Sequence, residues 1–83
     1  MSGPYFKVGQ HYRVRHSFTA LRDSFVEGEL LIYESSAYSR YDGITGYFFR
    51  QVTKPGMRWW DVYDDEPGGR WLELFEAVEA PAV

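Results

Sequence analysis

The sequence predicts a single small domain that is mainly β, with five short strands bent into a barrel. Three observations carry that prediction. Several short runs alternate apolar and polar residues with the period of a half-buried strand, turn signals built from Gly, Pro and Asp-Gly separate those runs, and the 83 residues contain no linker, repeat or low-complexity stretch. The domain is placed at 9–79, with 1–8 as an N-terminal extension and 80–83 as a C-terminal tail.

The first strand lies within 10–16, where Tyr12 and Val14 share one face and Arg13 and Arg15 the other. Residues 17–27 follow with Phe18, Leu21 and Phe25 at irregular spacing, the mark of a long loop that tucks its apolar residues beneath itself. Gly28, between Glu27 and Glu29, supplies a backbone angle other residues avoid. It introduces the second strand, Leu30-Leu31-Ile32-Tyr33-Glu34. The polar stretch 35–43 ends in Asp42-Gly43, a turn signal, so Tyr38 and Tyr41 are expected on a loop. The third strand is 44–51. Thr53-Lys54-Pro55-Gly56 then reads as a tight hairpin turn into a fourth strand at 58–63. Alternation there puts Trp60 and Val62 on one face and Trp59, Asp61 and Tyr63 on the other, leaving open which Trp is inward.

The last third gives mixed signals. Trp71, Phe75 and Val78 recur at helical spacing, whereas Gly68-Gly69 weakens a helix start. A turn at 64–69 is expected, then a short helical or 3₁₀ turn or a final strand within 70–78. A strand there is placed to pair with the first and cover its open edge.

Composition narrows the function classes. Six Phe, seven Tyr and three Trp supply much of the apolar bulk in a chain without cysteine, so neither disulfides nor thiolate metal sites enter. The longest apolar run, Leu30-Leu31-Ile32-Tyr33, is far shorter than a membrane span. Met1-Ser2-Gly3-Pro4 does not read as a secretory signal, and cytoplasm is the expected compartment. The net charge of −3 conceals a gradient: residues 1–22 hold Lys7, Arg13, Arg15 and Arg22 and no acid, while all twelve acids begin at Asp23. A basic first strand lying beside an acidic last segment accounts for this, and the overall acidity disfavours a nucleic-acid partner.

Catalysis is not expected. His11 and His16 are five residues apart and point to opposite faces of a regular strand, which separates them as bases or metal ligands. Asp61, Asp64, Asp65 and Glu66 run into Pro67, the composition of a turn and helix cap, with metal or acidic-partner recognition as the alternative. No phosphate-binding glycine pattern is present. No cofactor or metal is assigned.

The order of strand, tucked loop, Glu-Gly-Glu, apolar strand, polar loop and tight hairpin resembles the SH3-like barrel. Tyr12-x-Val14, Phe18, Gly28-Glu29-x-Leu31-x-Tyr33, Tyr41-Asp42-Gly43 and the Trp-rich fourth strand are similar, over most of 9–76, to a family of uncharacterised bacterial domains of similar length. That resemblance implies a fold and no activity. Peptide-binding SH3 domains differ: here 19–23 retains a trace of their Ala-Leu-Tyr-Asp-Tyr segment, the late Pro-x-x-Tyr is missing, and Trp59-Trp60 follows the distal turn where theirs precedes it. Proline-rich ligands are therefore not implied.

What remains is an excess of aromatics over what a barrel of about eight to ten large core side chains holds. Tyr38, Tyr41, Tyr47 or Phe48, Trp59, Tyr63 and Trp71 are candidates for exposure, with Arg40, Arg50 and Arg58 nearby. Tyr, Trp and Arg are the side chains that anchor interfaces. The sequence therefore points to a non-catalytic protein- or peptide-binding module using Tyr38, Arg40, Tyr41, Arg58, Trp59, Tyr63 and Trp71, with strand addition at a barrel edge as one mode. The alternatives are a single-stranded nucleic-acid binder and a self-associating structural or inhibitory subunit in which the patch is a homodimer interface. A second small core beneath the C-terminal segment would also account for the aromatics.

Overall fold

The computed structural model describes residues 6–66 and 70–80. Its elements are β1 (His11–Val14), β2 (Phe18–Thr19), β3 (Ser24–Phe25), β4 (Leu30–Ser39), β5 (Ile44–Gln51), β6 (Met57–Tyr63), α1 (Arg70–Leu74) and β7 (Phe75–Val78). Five of the strands form one sheet in the order β6-β5-β4-β1-β7, every pair antiparallel, while β2 and β3 make a small hairpin of their own.

The two edges of the sheet curve toward each other, and side chains from them touch. Neighbouring strands lie about 4.8 Å apart, so in a flat sheet β6 and β7 would be separated by about 19 Å. Instead the rings of Trp60 on β6 and Phe75 on β7 have centroids 5.1 Å apart. The sheet is rolled around its aromatic face. Tyr12, Val14, Leu31, Tyr33, Phe49, Trp60, Leu74 and Phe75 are buried there, joined by Phe25 from the hairpin and by Phe6. Phe6 sits at the centre, its ring 4.9–5.8 Å from those of Tyr12, Tyr33, Tyr47, Phe49, Trp60, Trp71 and Phe75. The segment read as an extension thus contributes a core residue.

The alternation read for the first and fourth strands is present, the third strand spans Ile44–Gln51 as expected, and Trp60 is the inward indole. The two possibilities for 70–78 both occur in succession, a helical turn and then a strand paired with β1 from Val14↔Phe75 to His11↔Val78. Of the turn expected at 64–69, residues 67–69 lie outside the described residues. The positive φ of Gly28, 88°, closes the turn between β3 and β4, where its N–H donates to the Val14 carbonyl at 2.8 Å.

Two readings are corrected. Residues 35–39 are strand, not loop: they pair with β5 from Ser35↔Phe48 to Ser39↔Ile44 after a bulge at Tyr33/Ser35. The side chains at 34–38 are nonetheless exposed. Apolar periodicity reports burial rather than backbone pairing, and a strand with little burial carries none. Residues 17–27 are not a loop with three tucked side chains. Phe18 and Phe25 stack across the hairpin with centroids 4.7 Å apart, while Leu21 at its tip is 59% exposed.

Candidate interaction surface

Ten aromatics are in or against the core: seven buried, with Phe18, Tyr47 and Trp71 packed on them. Tyr38, Tyr41, Phe48, Trp59 and Tyr63 are left outside it among the described residues. Strand alternation gathers most of these on one side. Because Phe49 and Trp60 face inward, their neighbours Phe48 and Trp59 face outward. They are in register across β5 and β6, with ring centroids 4.0 Å apart. The same outer face carries Ala37↔Gly46, Gly46↔Asp61 and Ile44↔Tyr63.

The tip of the β2–β3 hairpin folds over this face and is locked to it by Arg22. Its Nε donates to Asp61 Oδ2 at 2.8 Å and its Nη2 to Asp61 Oδ1 at 2.6 Å, while the guanidinium lies 4.3 Å from the centre of the Trp59 ring. The hydrogen bond to Asp61 raises the guanidinium pKa, against the opposing effect of burial, with further support from the charges of Asp61 and Asp23. Gly46 makes room for this pair: a Cβ there would lie 3.1 Å from Asp61 Oδ1 and 3.2 Å from Arg22 Nη2. Between hairpin and sheet a cavity of about 420 Å³ remains, floored by Ala37, Gly46 and Ile44, walled by Leu21, Arg22, Phe48 and Trp59, with Asp42 at its rim.

The residues singled out from sequence divide into three groups. Trp59 and Tyr38 line the cavity. Tyr38 is on β4 rather than a loop, and its hydroxyl donates to Asp64 Oδ2 at 2.8 Å. Arg40 and Tyr41 lie on the β4–β5 turn, Tyr41 97% exposed, and Tyr63 is exposed at the end of β6; these three are beside the cavity and do not line it. Arg58 and Trp71 belong to the fold instead. Trp71 packs on the core, 5.4 Å from Phe6, because the helical turn folds it inward.

Arg58 lies in a covered ionic cluster. Its Nε meets Glu29 Oε2 and its Nη1 meets Asp23 Oδ1, each at 3.1 Å. Gln51 Nε2 also donates to Glu29 Oε2, at 2.7 Å, and the Trp59 N–H to Asp23 Oδ2, at 3.3 Å. Burial lowers the Arg58 pKa, but the hydrogen bonds and charges of Glu29 and Asp23 outweigh it and leave the pKa raised. Arg22, Asp61, Phe48 and Asp42 also line the cavity and were not in the binding set assigned from sequence. Only the outward parity of Phe48 was readable locally.

The acids at 61–66 disperse. Asp61 serves Arg22, Asp64 serves Tyr38, and Glu66 accepts from the Tyr63 N–H at 2.8 Å while facing Arg70 at 3.5 Å. Among the described residues no group of three or more His, Asp or Glu side chains converges as a metal site would require. The basic first strand does lie against the acidic last one, with Arg13 Nη2 2.6 Å from Glu76 Oε2.

Tyr38 offers a pH readout. The hydrogen bond to Asp64 is the main cause that raises its phenol pKa above the ordinary 10.0, with smaller contributions from burial and the Asp64 charge. The bond requires the protonated phenol. It therefore contributes below pH 10 and is lost as pH rises through the raised value. Ultraviolet titration should show the Tyr38 phenol ionising above the ordinary 10.0, and Asp64→Ala should bring it back toward that value.

No family model matches the chain, and no curated protein matches it. Among solved structures, an integron cassette protein from the mobile metagenome of Vibrio cholerae is similar, with a TM-score of 0.70 and 21% identity over 89% of this chain and 87% of that chain. The likeness extends to the fold alone. Among the described residues no helix is long and apolar enough to cross a membrane.

Proposed function

We propose that this chain is a non-catalytic protein- or peptide-interaction domain on an SH3-like barrel, of the kind represented by uncharacterised bacterial domains, working in the cytoplasm. Its binding surface is the outer face of β4, β5 and β6. The observation that carries this reading is the cavity beneath the hairpin tip, where aromatic walls and a fixed arginine surround a space within the range of about 300–1,000 Å³ usual for ligand sites. Tyr41 and Tyr63 extend the surface at its margin.

Two features favour the face over its rivals. Along the outer edge of β6, the Trp59 and Tyr63 N–H groups donate to the Asp23 and Glu66 carboxylates, which blunts strand addition there. Arg13, Arg22, Arg50, Arg58 and Arg70 are all paired with acids, leaving few free cations for phosphates.

Ala37→Phe is the incisive variant. Ala37 lies opposite Gly46 on an exposed strand and lines the cavity, so a ring there fills the space beside the Arg22–Asp61 pair. Peptides enriched from a displayed library on the wild-type domain should bind at least tenfold more weakly to Ala37→Phe and to Trp59→Ala, measured by titration with folding checked by circular dichroism. Enriched peptides that bind both variants as well as wild type would sink the assignment. Concentration-dependent dimerisation abolished by Ala37→Phe would make the partner a second copy of the chain.

A further inference from the structure

We propose that the cavity takes a lysine or arginine side chain from an extended segment of a partner protein, an inference that rests on the interaction-domain reading and names its ligand class. Arg22 is already neutralised by its two-pronged contact with Asp61, whose side chain is 3% exposed. Asp42 adds a second carboxylate at the rim, exposed and bonded only to the Ser39 hydroxyl at 2.9 Å among the described residues. Arg40, on the same turn, is not part of the lining. The cavity therefore holds one more carboxylate than cation. An acidic ligand is repelled there and a cationic one is drawn in, within a chain whose net charge is −3.

The apolar lining suits the stem of such a side chain. Four methylenes of a lysine, or three of an arginine, lie against Ile44, Phe48 and Trp59 while the charged head reaches the Asp42 carboxylate, the division of labour that long basic side chains adopt at interfaces. The donors of Arg22 fix the backbone. Nε and one Nη2 hydrogen are taken by Asp61, and Nη1 has no partner among the described residues. A peptide carbonyl beside the inserted side chain accepts from it without bringing a charge.

The test is an amide-correlation NMR titration with Nα-acetyl-lysine N-methylamide and with its norleucine counterpart, which keeps the stem and lacks the ammonium. Both probes should shift the Trp59 indole N–H and the amides of Ala37, Ile44 and Phe48. The lysine probe should bind about two- to fivefold more tightly at low salt, as expected for an exposed ion pair. That advantage should vanish in Asp42→Asn, an exposed substitution that leaves the fold intact. Equal binding of the two probes in the cavity overturns the cationic assignment and leaves the interaction reading standing. Shifts confined to other surfaces, or no shifts from either probe, overturn both.

Discussion

Replacing Phe6 with alanine should lower the free energy of unfolding by about 3–5 kcal/mol, the cost of removing a large ring from a core that cannot close over the space. Phe6 is 1% exposed and touches seven other rings, drawn from β1, β4, β5, β6, α1 and β7. Rolled sheets need filler on their axis, and here one side chain from before β1 supplies it. A domain of this length has a total stability of only about 4–12 kcal/mol at the usual yield per residue. The variant should therefore show a large drop in urea midpoint, with a substantial unfolded fraction if the parent is at the lower end. Phe6→Leu, which keeps apolar volume, should recover much of the loss. An unchanged midpoint in Phe6→Ala would mean that the rings do not pack around Phe6 as described.

Arg58→Ala should cost about 2–4 kcal/mol, through electrostatics rather than volume. Its side chain is 22% exposed, and it faces the Glu29 and Asp23 carboxylates, 10% and 20% exposed. Removing the cation leaves two covered acids without their counter-charge, which is costlier than losing an exposed pair; the remaining contact with water keeps the cost below that of a fully buried pair. The cluster ties the β3–β4 turn and the tip of the β2–β3 hairpin to β6, so its loss should loosen the hairpin and expose the Arg22–Asp61 lock to water. Denaturation should detect it as a lower midpoint, and hydrogen exchange as faster opening at Ala20 and Trp59. Binding loss at unchanged stability would instead return Arg58 to the interaction surface, where its residue type alone first placed it.

The sequence was informative where the determinants are local. The third strand is legible at its full length because Ile44 to Gln51, rich in β-favouring residues, lies between the Asp42-Gly43 turn and the Pro55-Gly56 hairpin, and those turn signals act over a few residues. The parity of Trp59 and Trp60 is equally local. Which of the two points inward is not, because it depends on where the rest of the sheet lies. Serines 35 and 36 concealed a strand because their neighbours in the ladder, Phe48 and Tyr47, supply the pairing from across the hairpin.

For the candidate site the division is sharper. The excess of aromatics could be counted, and Trp59 and Tyr38 followed from it. The same count assigned Trp71 to the surface, whereas it is partly buried against the core, since the excess itself does not say which rings the core takes. By itself, then, the sequence determined a small β domain, its tight hairpin at 53–56, and a surplus of rings beyond what one core holds. Only the tertiary structure decided that Phe6 fills the axis, that Arg58 is enclosed, and that Arg22 meets Asp61 across 39 residues of chain to frame a cavity at Gly46. The physical reason is range. Periodicity and turn chemistry are written within a few residues, whereas contacts between distant residues exist only after the sheet has rolled and the hairpin has folded onto it.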